Sequence, residues 1–299
     1  MPEPRFGVFL SPAAQGLEEL EEQVRAAEES GFDYVSVQDH PYVPDFLDTL
    51  TLITHLAART TRIRFMTNVA NLPLRPAPML AKTAASIDVL SGGRFDLGLG
   101  GGRAWKEIAG LGGPHWSPGD TVEAVGDAID TLRTMWRPGR TATVTGGRYP
   151  LRDVDTGPAP AHPIGIWLGA GGPRMLDLLG HKADGWIAPM RSDHSSRVAG
   201  QDRIDAAARA AGREPRDIER VMQIVGVLDP SAAPLPGTDD VPATFAVRAT
   251  AEDWARLVTD AVTAQRFDAV NLIPQVGDPE QLRRFAAEVI PRVREAAAS

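Results

Sequence analysis

Short apolar runs rich in β-formers alternate along the chain with longer segments whose apolar residues recur every three or four positions. The first run, Phe6-Gly7-Val8-Phe9-Leu10, precedes a segment with Leu17, Leu20, Val24 and Ala27 on one face and acidic residues on the other. Gly31 is placed to end that helix. The second run, 34–37, is followed by a helix carrying Leu50, Ile53, Leu56 and Ala57. The third, 63–67, leads to a helix with Met79, Leu80, Thr83, Ile87 and Leu90 that stops at Gly92-Gly93. After the fourth run, 94–100, comes a helix with Val122, Val125, Ile129, Leu132 and Trp136, broken at Pro138-Gly139. Residues 140–152 read as a hairpin turning at Gly146-Gly147. Runs at 164–168, 185–188, 221–228 and 269–273 each lead to a helical segment, starting near Pro173, 194, 251 and Pro279. Residues 229–243, rich in Pro, Ala, Asp and Gly, predict a loop.

Eight strand candidates, each followed by helix, predict an α/β fold: a single (β/α)8 TIM barrel with insertion segments, spanning 1–299. An open doubly wound sheet would show a Gly-x-Gly-x-x-Gly turn after its first strand, where this chain has Leu10-Ser11-Pro12. The formal net charge of -8 argues against nucleic acid as a partner. No apolar run is long enough for a bilayer, and the first residues carry no signal-peptide pattern, so a cytoplasmic protein acting on a small molecule is expected. The absence of cysteine excludes disulfides, thiolate metal sites and a cysteine nucleophile together.

In such a barrel the chemistry sits where strands end. Strand five ends in Gly169-Ala170-Gly171-Gly172-Pro173-Arg174. Glycines before a helix let a ligand approach the backbone, and the free N–H groups and helix dipole suit a phosphate. The same residues also make a bare βα turn. Strand two ends in Asp39-His40-Pro41. There His40 can move a proton near neutral pH and Asp39 can bond a polar group, or the pair can simply cap a turn. The run Gly98-Leu99-Gly100-Gly101-Gly102 leaves room for a flat ring, and Asn68-Val69 closes strand three. Arg103 either meets an anion or faces solvent. Trp105 and Trp116 either line a pocket or pack in the core, whereas Trp136, Trp167, Trp186 and Trp254 read as packing. Pro189 closes strand six. His40, His55, His115, His162, His181 and His194 form no metal-binding spacing, so no metal is expected. Lys82, Lys106 and Lys182 do not fall at strand ends, which removes a Schiff-base lysine.

The order and spacing of several stretches resemble the luciferase-like oxidoreductases over nearly the whole chain. These are Gly31-Phe32-Asp33-Tyr34 through Asp39-His40, 91–100, Pro163-Ile164 through Gly172-Pro173, Ala183-Asp184-Gly185-Trp186, Phe267-Asp268-Ala269-Val270 and Leu282-Arg283-Arg284-Phe285. The resemblance implies a flavin-type ring at the barrel mouth. Asp39-His40 looks like the Asp-His pair of the branch that uses the deazaflavin coenzyme F420; flavin mononucleotide (FMN), as in monooxygenases, is the alternative. Carried over by position, His40 is the proton donor or base and Asp39 contacts the deazaflavin. Asn68-Val69 matches a non-proline cis peptide behind the ring. Asn71, Gly101 and Gly102 border the ring, while Gly171, Gly172, Arg174 and Met175 surround the phosphate. Arg103, Trp105 and Pro189 are candidates on the substrate side. The resemblance also implies a flavin or F420 reductase as functional partner and admits a homodimer. Sugar-phosphate dehydrogenases of this branch have glutamate after the strand-four glycines and a tryptophan just after the Asp-His pair. Arg103 stands in the first place, and the tryptophan is absent with Tyr42 and Pro44 nearby instead, which sets glucose 6-phosphate aside. A non-redox barrel enzyme and a non-catalytic cofactor carrier are the remaining alternatives.

Overall fold

The computed structural model describes residues 3–190, 192–235 and 246–298. In chain order the strands are β1 (Arg5–Leu10), β2 (Tyr34–Val37), β3 (Arg64–Thr67), β4 (Ala70–Asn71), β5 (Phe95–Gly100) and β6 (Thr141–Val144). Then come β7 (Leu151–Asp155), β8 (Ile166–Gly169), β9 (Gly185–Ile187), β10 (Glu219–Leu228), β11 (Val247–Ala249) and β12 (Ala269–Pro274). The helices are α1 (Leu17–Glu29), α2 (Thr49–Ala57), α3 (Ala77–Ser91), α4 (Trp105–Gly110) and α5 (Pro118–Met135). They continue with α6 (Pro173–Lys182), α7 (His194–Ala210), α8 (Ala251–Thr263), α9 (Pro279–Glu288) and α10 (Ile290–Ala298). Parallel pairing runs β1-β2-β3-β5-β8-β9-β10-β12 and returns to β1, so the eight-stranded barrel is closed. β4 adds to β5, β11 adds to β10, and β6–β7 stand apart as an antiparallel hairpin.

The closed ring explains the sequence pattern. β2 is buried at every position and β5 at all but one, as expected of strands covered on both faces. Several helices begin at residues whose side chains cap them. Asp48 accepts from Thr51 N, Ser117 and Asp120 form a capping box, and Thr250 accepts from Asp253 N. Gly92 ends α3 in the left-handed region, with φ 71°, which favours glycine. Trp186 and Trp254 are buried, with their indole N–H groups donating to Ala170 O and Val227 O. Among the described residues no helix is long and apolar enough to cross a membrane.

The sequence reading misses β4, β11 and α4. The two strands are only two and three residues long, too short for a period to register, and α4 buries Ile108 alone. The expected hairpin is present, but its second strand runs on to Asp155. Of the expected 229–243 loop, residues 229–235 are described; Leu235 N donates to Asp253 at the start of α8. Residues 236–243 lie outside the described residues.

At the opposite, N-terminal face, a polar cluster ties α3 to the strand starts. Fully buried Asp88 accepts from the His162 backbone and meets its Nδ1 at 2.6 Å. Asp96 accepts from Arg64 at 3.1 and 2.8 Å, and lies 3.4 Å from His162 Nε2. The hydrogen bond to Asp96, with the charges of Asp88 and Asp96, raises the His162 pKa against its burial. Burial opposes the Asp96 carboxylate, but His162 and Arg64 outweigh it and hold the carboxyl below its ordinary range. A raised histidine pKa stabilises the fold fully below the unfolded value of about 6.5, and that gain is lost as pH rises through the higher folded value. Thermal melts should therefore separate wild type from His162→Gln more widely near pH 6 than near pH 9, roughly either side of that value. A gap that widens with rising pH would contradict the assignment.

Candidate active site at the C-terminal face of the barrel

The ends of β2, β3, β5, β8 and β9 surround a cavity of about 420 Å³. Asp39, His40, Asn68, Val69, Asn71, Gly101, Gly102, Arg103, Gly171 and Pro189 line it, together with Tyr42, Ile187 and Gln223. A second cavity, of about 380 Å³, adjoins it at Gly102 and is lined by Gly172, Pro173, Arg174, Met175, Trp105 and Trp116. All the residues singled out from the sequence thus fall on one of two neighbouring hollows. Trp105 lies on the α6 side rather than beside His40. Its ring stacks on His115 at 5.4 Å, with Trp116 edge-on at 6.3 Å.

The Asn68–Val69 peptide is cis. A Cβ on Gly100 would stand 2.5 Å from Val69 Cγ2, and one on Gly169 3.3 Å from Val69 Cγ1. These two glycines therefore make room for Val69. Gly101 and Gly102, expected to border a ring, both line the cavity, but protein lies where their side chains would be. A Cβ on Gly101 would meet Thr121 Cγ2 at 2.3 Å, and one on Gly102 would meet Pro73 at 2.6 Å. Their missing side chains make way for protein. Gly172 is different: a Cβ there would meet nothing within 4 Å, and Gly172 heads α6 with no side-chain cap. The start of α6 is thus left open beside Arg174, whose guanidinium has no hydrogen bond or ion pair among the described residues.

Asp39 does a different job from the one its place in the sequence suggests. The side chain is buried, and Arg75 grips it through two bonds: Nε to Oδ2 at 2.6 Å and Nη2 to Oδ1 at 2.8 Å. Oδ2 also accepts from Asn71 N at 2.9 Å. Arg75 in turn reaches Asp48 at 2.5 Å. Burial opposes the Arg75 charge, but Asp39 and Asp48 outweigh it and raise its pKa. The carboxylate is therefore spent on holding Asn71 and Arg75 in place. Asn71 is buried, and its Oδ1 has no partner. A buried unpaired oxygen on a cavity wall is costly unless a ligand completes it.

His40 stands at the rim with Nδ1 2.6 Å from the Tyr42 hydroxyl. Burial lowers its pKa, and the Asp39 charge only partly offsets this, so the ring is neutral at pH 7. Burial also raises the Tyr42 phenol, helped by Glu107 and Asp39 and opposed by Arg103. With Tyr42 neutral, the shared bond decides which histidine nitrogen carries the proton. If Nδ1–H donates to Tyr42, Nε2 is free to accept.

Beneath the cavity lies a polar chain that the sequence reading missed. Asn68 Nδ2 donates to Gln223 Oε1 at 2.8 Å and to Ser36 Oγ at 3.3 Å, and Asn271 Nδ2 donates to the same Oγ at 2.8 Å. Gln223 Nε2 donates to Ala188 O at 3.0 Å. Ser36, Gln223 and Asn271 are polar residues inside apolar strand runs, and that was the available signal. Arg75 carried none.

The model of the luciferase-like monooxygenase family matches residues 4–235. The chain belongs to the luciferase-like monooxygenase family. Among curated relatives in this family, it is 30% identical over 230 residues to an F420-dependent glucose-6-phosphate dehydrogenase of Microbacterium testaceum (strain StLB037). That match covers 74% of this chain and 67% of the relative. It is also 30% identical over 229 residues to a 5,10-methylenetetrahydromethanopterin reductase of Methanolobus tindarius, covering 76% and 67%. A solved F420-dependent secondary alcohol dehydrogenase, in complex with an F420-acetone adduct, has the same fold. Its TM-score is 0.84 at 19% identity, over 97% of this chain and 99% of that one.

The Asp39–Arg75 pair carries a stability prediction. Arg75→Met leaves a buried carboxylate without its counter-charge and should cost about 3–5 kcal/mol in urea unfolding. Adding Asp39→Asn to that variant should recover part of the loss. A cost under about 1 kcal/mol, the range of exposed pairs, would contradict the buried-pair reading.

Proposed function

We propose that this is a cytoplasmic F420-dependent oxidoreductase that passes a hydride between the deazaflavin and a small organic substrate. The observation that carries this reading is the pair of adjoining cavities, one flanked by Val69, Asn71 and His40, the other at the open start of α6. A flat ring joined to a phosphate-bearing tail matches that shape. The residues fit the group. Asn71 Oδ1 lacks a donor that a ring N–H or hydroxyl supplies. Gly172 leaves the α6 N-terminus bare, so its N–H groups and dipole, with the Arg174 charge, suit a phosphate. Val69 would back the ring, and Met175 and Trp105 would give the tail an apolar wall. The relative named as an F420-dependent dehydrogenase supports the deazaflavin over FMN.

When bound, the deazaflavin supplies the hydride chemistry. The protein's own work is to position and to handle the proton. Asp39, held by Arg75, fixes Asn71 and the backbone before His40. The Gln223–Asn68–Ser36 chain fixes the Asn68–Val69 segment from below. In oxidation of an alcohol, His40 Nε2 takes the hydroxyl proton while Nδ1–H is held by Tyr42. In the reverse direction the protonated ring returns it. Turnover also needs a second reaction that resets the cofactor: a flavin or F420 reductase when the substrate is reduced, and an F420H2-consuming reaction when it is oxidised.

Titration followed by tryptophan fluorescence should give F420 binding at micromolar levels, at least about tenfold tighter than FMN. Tighter FMN binding would favour the monooxygenase reading. His40→Gln should lower turnover by about a hundredfold while the F420 Kd stays within about twofold. In the oxidative direction, wild-type kcat/KM should fall only below about pH 6.5, and His40→Gln should lose that limb. Equal losses in binding and turnover would remove His40 from the proton step.

A further inference from the structure

The charge balance of the ring cavity indicates what kind of substrate it takes; this rests on the function proposed above. Four of its lining side chains can carry charge: Asp39, His40, Tyr42 and Arg103. Asp39 is neutralised by Arg75, burial keeps His40 uncharged at neutral pH, and burial keeps the Tyr42 phenol protonated. Arg103 is left. Its guanidinium forms no hydrogen bond or ion pair among the described residues, although the chain as a whole carries a charge of -8. Glu107 is near enough to raise Tyr42, yet it lines neither cavity and makes no ion pair with Arg103 among the described residues. The Arg103 charge is felt by Tyr42, which puts it on the His40 side of the cavity. Arg174 lies in the other hollow, with Gly102 between them. The two free guanidinium groups therefore serve different ends of whatever fills the site.

We propose that Arg103 anchors an oxyanion on the substrate, so that the enzyme acts on a small organic acid, a carboxylate or phosphate ester, and not on an uncharged alcohol or ketone. A guanidinium fork matches either oxyanion through two parallel bonds. A cavity of about 420 Å³ that also admits the ring leaves space only for a small molecule. Ile187 and Pro189 offer its carbon skeleton an apolar wall.

The test uses saturation-transfer NMR on the F420-loaded enzyme with three probes: 3-hydroxybutyrate, glycerol 1-phosphate and uncharged 2-butanol. One or both anions should bind at least about tenfold tighter than 2-butanol, and the preferred one identifies the oxyanion. Arg103→Gln should remove that preference, Arg103→Lys should keep part of it, and added salt should weaken it. The F420 Kd of Arg103→Gln should stay within about twofold of wild type, and Arg174→Gln should weaken F420 without changing the order of the probes. Equal binding of charged and uncharged probes, no anion binding by the loaded wild type, or an Arg103→Gln loss confined to F420 would each overturn the proposal. Failure of wild type to bind F420 at all would instead overturn the function on which it rests.

Discussion

A parallel sheet has two raw edges, and this chain removes both by pairing β1 with β12 while β10 bridges β9 and β12. That closure dictates the rest. Because every barrel strand runs the same way, every strand leaves the barrel at one face, and residues from far-apart stretches meet there. Asp39, Asn68, Gly102 and Gly171 become neighbours on one cavity only because the ring is shut. The tight interior is part of the same constraint: a Cβ on Gly98 would come within 2.0 Å of Thr67 O, and one on Gly7 within 2.2 Å of the Tyr34 ring. Those glycines let the strands and their inward side chains fill the barrel.

Upon that ring the site is held by two kinds of polar support. From the side, Arg75 clamps Asp39, which in turn fixes the Asn71 backbone. From below, Gln223, Ser36 and Asn271 form a hydrogen-bonded chain under Asn68. Buried polar groups are expensive unless paired, and the bonds made here hold the cavity floor and wall in place. Two amide oxygens here lack a partner, Asn71 Oδ1 and Asn271 Oδ1, and of the two residues only Asn71 lines the cavity, where a ligand can complete it. The opposite face of the barrel carries its own cluster around Asp88 and His162, which ties helix to strand and belongs to stability.

Much of this was legible before any coordinates. Eight apolar runs separated by amphipathic segments gave the barrel, because strand burial on both faces leaves continuous apolar stretches. Asp39, His40 and the 169–174 glycine segment stood at strand ends, where chemistry gathers. What could not be read was which partner each group takes. Asp39 looked like a cofactor ligand, but its partner Arg75 sits 36 positions later, and nothing in the local sequence joins them. Gly101 and Gly102 looked like space for a ring, yet what they avoid are Thr121 and Pro73, brought in by other elements. Among the glycines lining the two cavities, the one whose missing side chain faces open space is Gly172. Short pieces such as β4 and β11 escaped because two or three residues set no period.

The central claim is that two neighbouring hollows, joined at Gly102, hold one elongated redox cofactor. Its most direct test is a crystal structure of the protein grown with F420. The account predicts the ring in contact with Val69 and Asn71 beside His40, with the phosphate against Gly172 and Arg174. A ring lodged instead in the separate hollow beside α1, lined by Leu10, Ser11 and Gln23, would contradict it. So would a phosphate lying away from the start of α6.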